Sequence, residues 1–194
     1  FNSISPFWFT LNDDGSLKEI ANKVNPEIIS FTKANGIKLI PSIFQFDYRI
    51  LVSILNSKEN LQRHVQDIIS KIDKYDLDGI DLDYEEISLS DKKFFFEFLE
   101  KLSTEMKKNG KILSITVLPK WGNELTYPNN AQTRLVQDYG KISNYADEFR
   151  IMTYDFFGKT TTEAGPIGPL TWLERTIQYA INEGVPRSKI ILGI

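Results

Sequence analysis

The chain contains no cysteine, so neither a disulfide framework nor a thiolate metal site can be built from its 194 residues, and the redox compartment is left open. It has one histidine, His64, and no basic block, and its net charge is −3. Binding to nucleic acid leans on clustered Lys and Arg, so that class of partner is excluded. No run of 18 apolar residues occurs, which excludes a membrane-spanning helix. The opening stretch, "FNSISPFWF", has neither the basic start nor the small-residue cleavage site of a signal peptide. Its first residue is Phe1 rather than Met, so the chain is expected to begin inside a longer protein.

What is present suits a globular domain. Hydrophobic residues make up 41% and charged residues 25%, and the length favours one domain over residues 1–194. Short apolar runs predict strands at 3–9, 37–46, 79–85, 111–119, 148–156 and 189–194. From the second onward their starts are 32 to 42 residues apart, the length of one strand plus one crossover helix. Between them, Leu61, Val65, Ile68, Ile69, Ile72 and Tyr75 form a stripe at helical spacing. Phe94, Phe95, Phe98, Leu99, Leu102 and Met106 form another, with Ser90-Asp91 as a start signal and Gly110 as a stop. Residues 133–146 and 171–183 repeat the pattern more weakly. Alternating strands and helices imply parallel pairing and an α/β fold. An open doubly wound sheet would show a glycine-rich phosphate loop after its first strand, and none is present. The other candidate is a TIM (β/α)8 barrel, which takes eight units and typically about 250 residues. Six strands are visible here, so such a barrel would be incomplete.

"DGIDLDYEE", residues 78–86, places five acidic side chains in nine positions. On a strand, Ile80, Leu82 and Tyr84 share one face, and Asp81, Asp83 and Glu85 share the other. A solvated acidic strand conflicts with the apolar flanks, because a parallel strand is covered on both faces. An EF-hand alignment on Gly79 puts Asp76, Asp78 and Glu85 at ligand positions. It also puts Lys74 at the first ligand position and Asp81 where an apolar residue belongs. A magnesium site would have no phosphate-handling partner in the sequence. Acid catalysis fits better. Side chains two apart on a strand lie roughly 6–7 Å apart, close enough for like charges to keep one member protonated. A protonated carboxylic acid at the C-terminal end of a parallel strand is a general acid by position, and Glu85 is the outermost and longest of the three.

Asp78-Gly-Ile-Asp81-Leu-Asp83-Tyr-Glu85 resembles the D-G-x-D-x-D-x-E signature of the family 18 glycoside hydrolases, the chitinase-like barrels. "MTYDF", Met152 to Phe156, is similar to the M-x-Y-D motif on a later strand of that family. "PFWFTLNDDGSL", "LPK", "GPIGPLTW" and "KIILGI" look most like its spore-cortex and cell-wall lytic branch. The resemblance implies a fragment of a TIM (β/α)8 barrel covering strands two to seven, with the acidic strand as the fourth. It also implies substrate-assisted, retaining hydrolysis of β-1,4 bonds next to N-acetylglucosamine, in chitin or peptidoglycan-type polymers. In that scheme Glu85 is acid and then base, Asp83 orients the acetamido N–H while paired with Asp81, and Tyr154 donates its hydroxyl to the acetamido oxygen. Met152 and Asp155 would bind the sugar. No cofactor and no metal is implied. The partner is an N-acetylglucosamine-containing oligo- or polysaccharide, and the setting is extracellular, at the cell wall or spore. Non-hydrolytic, sugar-binding relatives typically lack the signature glutamate, which is present here as Glu85.

The family's S-x-G-G on the third strand is reduced to Ser42-Ile43-Phe44-Gln45. Phe44 and Gln45 in place of glycines should narrow the cleft, and Gln45 then falls among the sugar-contacting positions. Trp121, after the fifth strand, and Trp8, at the end of the first visible one, are candidate sugar-stacking rings. Trp172 reads as core, and His64 as surface or packing. "GKTT" (158–161) is not a phosphate loop, because Thr153 stands where the motif needs glycine. The absence of a long insertion before the seventh strand suggests a shallow cleft with few subsites.

Overall fold

A computed structural model describes residues 2–122, 131–158 and 161–194. Its main sheet runs, edge to edge, through β3 (Leu17–Glu19), β2 (Phe7–Leu11), β5 (Ser42–Gln45), β6 (Gly79–Tyr84), β7 (Ile112–Val117), β8 (Glu148–Met152) and β9 (Ile190–Gly193). All neighbours pair in parallel except β3, which turns back antiparallel on β2. Strands succeed one another in chain order without the reversal that defines a doubly wound sheet. The sheet is also curled: Arg150 on β8 donates to Ser5 Oγ, 145 residues earlier, at 2.5 Å. Both features belong to a partial barrel.

Two predicted strands are each split by a proline. β1 (Ser3–Ile4) and β2 are separated at Ser5-Pro6, and β4 (Lys38–Leu39) and β5 at Ile40-Pro41. Proline supplies no N–H, so a ladder falters there. The breaks lie at matching heights, and β1 pairs with β4 as β2 pairs with β5. Gly79 opens β6 because β7 runs too close for a side chain; an added Cβ would lie 2.1 Å from Ile112 O.

The helices are α1 (Pro26–Asn35), α2 (Tyr48–Leu55), α3 (Lys58–Tyr75), α4 (Lys92–Lys108), α5 (Ala131–Val136), α6 (Tyr139–Tyr145) and α7 (Leu170–Asn182). The single helix predicted over 133–146 is in fact two. Asp138 is extended and accepts from Lys141 N at 3.1 Å, starting a new helix after Gln137. Among the described residues no helix is long and apolar enough to cross a membrane.

Ile80, Leu82 and Tyr84 on the outer face of β6 join one core with α3 and α4. His64 of α3 is fully buried there, with its ring stacked on Tyr84 and Phe98. Its Nδ1 lies 2.9 Å from Gly15 O and its Nε2 2.6 Å from Tyr84 Oη. A carbonyl only accepts, so Nδ1 carries the proton and Nε2 accepts from the phenol. Burial lowers the imidazole from 6.5 to about 4 and pushes the Tyr84 hydroxyl well above 10. The folded state therefore disfavours the charged ring, and the unfolded chain takes up the proton first. The contribution of His64 to stability should be full above pH 6.5 and fall by about 3 kcal/mol as the pH drops to about 4. Urea titrations of the wild type and His64→Gln across that window check this. The stability difference between the two proteins should follow that slope.

Candidate active site

β6 presents its acids inward, and the neighbouring strands treat each one differently. Asp81 is flanked in register by Ser42 on β5 and Ser114 on β7. Both hydroxyls donate to it, at 2.8 and 2.7 Å, and Thr116 Oγ1 lies 3.0 Å from each of its oxygens. Arg150 Nη1 is 3.9 Å from Asp81 Oδ1 and completes the sleeve.

Asp83 is flanked by Phe44 and Thr116. The first offers no polar atom, and the hydroxyl of the second is taken by Asp81. Asp83 Oδ1 is consequently buried with no hydrogen-bond partner among the described residues. Ser42, Ser114, Thr116 and Arg150 together surround Asp81. Burial first, then the charges of Glu85 and Asp81, push the Asp83 carboxyl up from 3.8 to about 8.

Glu85 follows the last residue of β6 and is half-buried, with its backbone N–H bonded to Gln45 O at 3.2 Å. Burial and the neighbouring Glu86 raise its carboxyl, against an opposing pull from Arg134. Tyr154, just past β8, is 38% exposed. Burial, then the charges of Asp83, Glu85, Asp155 and Asp81, hold its hydroxyl at about 12. All four carboxylates thus act on one phenol.

Asp81, Asp83, Met152, Tyr154 and Arg150 line a cavity of about 340 Å³. Phe7 forms part of its wall, with its ring 5.5 Å from Phe44, which in turn stacks on Phe46 at 5.3 Å. Among the described residues no group of three His, Cys, Asp or Glu side chains is arranged to hold a metal ion.

The other expected residues are distributed unevenly. Asp155 is exposed, in a left-handed turn at φ 58°. Trp121 is partly exposed, 5.8 Å from Trp172 and beneath the guanidinium of Arg134, the cation that acts on Glu85. Trp172 is buried, as its core reading required. Trp8 is a correction: it is 1% exposed and cannot stack on a sugar. β2 restarts at Phe7 and runs to Leu11, so Trp8 sits inside a strand rather than at its end. Phe7 takes the place at the cavity. Gln45 is buried, and its Oε1 accepts from the backbone N–H groups of Phe46 and Asp47, both at 2.9 Å. Its oxygen shapes the loop rather than facing the cavity. Of "GKTT", Lys159 and Thr160 lie outside the described residues.

Arg150 escaped the sequence reading. Its signal was the alternation of β8, where Arg150 and Met152 share a face two residues apart. Gly193 is a second omission. It pairs with Met152 across β8 and β9, and an added Cβ would lie 2.7 Å from Tyr154 Cε1. Gly193→Ala should therefore displace the phenol and cut turnover about 10- to 100-fold, with the melting temperature little changed. Steady-state rates beside a thermal melt read both quantities.

Comparison with known proteins agrees with this geometry. The profile of "Glycosyl hydrolases family 18" matches residues 8–194. "Putative sporulation-specific glycosylase YdhD" of Bacillus subtilis is 28% identical over 202 residues, covering all of this chain and 45% of that protein. "Cortical fragment-lytic enzyme" of Bacillus anthracis is 27% identical over 193 residues, covering 96% of this chain and 43% of that protein. The chain thus spans less than half the length of these relatives. The crystal structure of the Bacillus subtilis YdhD protein superposes with a TM-score of 0.87 at 27% identity, covering 99% of this chain and 63% of that one. An acid-lined strand in a curled parallel sheet and a profile match over nearly every residue lead to one conclusion: the chain belongs to family 18 of the glycosyl hydrolases.

Proposed function

We propose that the protein cleaves β-1,4 bonds next to N-acetylglucosamine, in chitin or a peptidoglycan-type polymer, with retention at the anomeric carbon. The observation that carries this reading is the buried, partnerless Oδ1 of Asp83, set between a saturated Asp81 and a Glu85 whose carboxyl is raised by burial. A buried acceptor without a donor costs roughly 1–3 kcal/mol, a cost that a substrate N–H would remove. The acetamido N–H of N-acetylglucosamine is such a donor.

With the acetamide held by Asp83, its oxygen attacks the anomeric carbon while Glu85 passes its proton to the leaving oxygen. An oxazolinium ring forms as the glycosidic bond breaks. Glu85, now a carboxylate, takes a proton from the incoming water, which opens the ring and restores the acid. Tyr154 keeps its proton at any physiological pH, and its hydroxyl donates to the acetamido oxygen. Trp121, beside Arg134 on the Glu85 side, offers a face for a neighbouring sugar ring. The curated relatives support the cell-wall branch of the substrate class, since one is named for cortical fragments. The setting we infer is the cell wall or spore, with residues 1–194 as part of the catalytic domain.

Proton NMR during hydrolysis of N-acetylglucosamine oligomers tests the mechanism. New reducing ends should first appear as the β-anomer. Initial appearance of the α-anomer would show direct attack by water and overturn the substrate-assisted reading.

A further inference from the structure

We infer that Arg150 and Phe44 are positioning residues that give the two aspartates different surroundings, Arg150 helping to fix Asp81 and Phe44 denying Asp83 a hydrogen-bond partner. Neither belongs to the signature that identifies the family, and Phe44 stands where the related S-x-G-G motif has glycine. The inference rests on the proposed chemistry and deepens it by accounting for the different surroundings of the two aspartates.

The geometry is specific. Arg150 reaches three side chains at once: Ser5 Oγ at 2.5 Å, Glu148 Oε2 at 2.7 Å and Asp81 Oδ1 at 3.9 Å. Its guanidinium and the Asp81 carboxyl are both largely shielded, with 16% and 3% of their side-chain surface exposed. Charges removed from water interact more strongly than exposed ones. Three hydroxyls, from Ser42, Ser114 and Thr116, occupy the same carboxyl. Two residues further along the strands, the register brings Phe44 beside Asp83 instead of a hydroxyl. The Phe44 ring is itself held, between Phe7 and Phe46. A glycine there would admit water to the Asp83 side of the cleft.

The charged and titratable groups around the pair are few. Glu85 lies beyond the same strand, Arg150 and Glu148 are on β8, and Tyr154 and Asp155 follow it. At the positions flanking the pair, β5 and β7 contribute only Ser42, Phe44, Ser114 and Thr116. Among the described residues around the pair, Arg150 is thus the cation that reaches Asp81.

The test is a titration of the carboxyl carbon of Asp83 by carbon-13 NMR, in the wild type, Arg150→Gln, Arg150→Lys and Phe44→Gly. In the wild type Asp83 should titrate near pH 8. Arg150→Gln removes a cation, so the Asp83 midpoint should rise. Arg150→Lys keeps the charge and should leave the midpoint in place. Phe44→Gly should lower it as water enters. An Asp83 midpoint unmoved by Phe44→Gly, or moved equally by Gln and Lys at 150, overturns the inference. If Arg150→Gln does not fold, the Lys and Gly variants decide the matter. No substrate is used, so the result is independent of whether the protein hydrolyses a glycan. Where hydrolysis is measured, Arg150→Gln should lower kcat about tenfold with KM little changed.

Discussion

Replacing Glu85 by Gln should lower turnover of N-acetylglucosamine oligomers by about 10²- to 10⁴-fold, the range expected when a positioned acid is lost. The amide preserves shape and hydrogen-bonding reach but has no proton to give the leaving oxygen. Substrate binding should persist, because the acetamide is held by Asp83 and Tyr154 rather than by Glu85. The two effects separate in isothermal calorimetry beside initial rates: Kd within about threefold of wild type, kcat nearly gone. The pH profile carries the same signature. Burial and Glu86 raise the Glu85 carboxyl, so the acid form persists to higher pH than in an exposed glutamate. Activity should be present below the raised value and lost as the pH climbs through it. Loss of binding equal to loss of rate would instead make Glu85 a sugar-holding group.

Asp83→Asn should move activity and stability in opposite directions. The aspartate is kept at about 8 in the folded protein against 3.8 for a free side chain, chiefly by burial. A carboxyl raised on folding favours the folded state only below its unfolded value, and that contribution disappears as the pH rises toward 8. At pH 7 the wild type therefore carries a penalty, which asparagine, having no proton to exchange, does not share. We expect the variant to gain on the order of 2 kcal/mol at pH 7 and nothing near pH 3. Turnover should fall about 10²- to 10³-fold, because the acetamide is no longer oriented by a carboxyl. Chemical denaturation at both pH values, beside oligomer hydrolysis, reads all three quantities. A variant less stable than wild type at pH 7 would show that the Asp83 carboxylate is held by contacts the structure does not contain.

The parallel strands were legible because apolar alternation and helical stripes are strong over six or more residues, as in β6, β7, α3 and α4. β3 has three residues and α2 eight, too few for a period to emerge. The division of α5 from α6 depends on the cap at Asp138, an individual hydrogen bond rather than a pattern. Trp8 was misplaced for a related reason. Pro6 resets the strand, so counting from Ser3 gives the wrong end. At the site, Asp81, Asp83, Glu85 and Tyr154 could be read directly from motif and alternation. Their contrasting environments could not, since these arise from Ser42, Ser114, Thr116 and Phe44 on strands 33 to 39 residues away, and only register brings them together.

The measurement that bears most directly on the central claim is mass spectrometry of products after the protein meets N-acetylglucosamine oligomers and peptidoglycan fragments, with Glu85→Gln in parallel. The account predicts products shortened by whole sugar units from at least one of the two polymers, and none from the variant. Binding without cleavage by both proteins would contradict it, leaving a sugar-binding member of a hydrolase family.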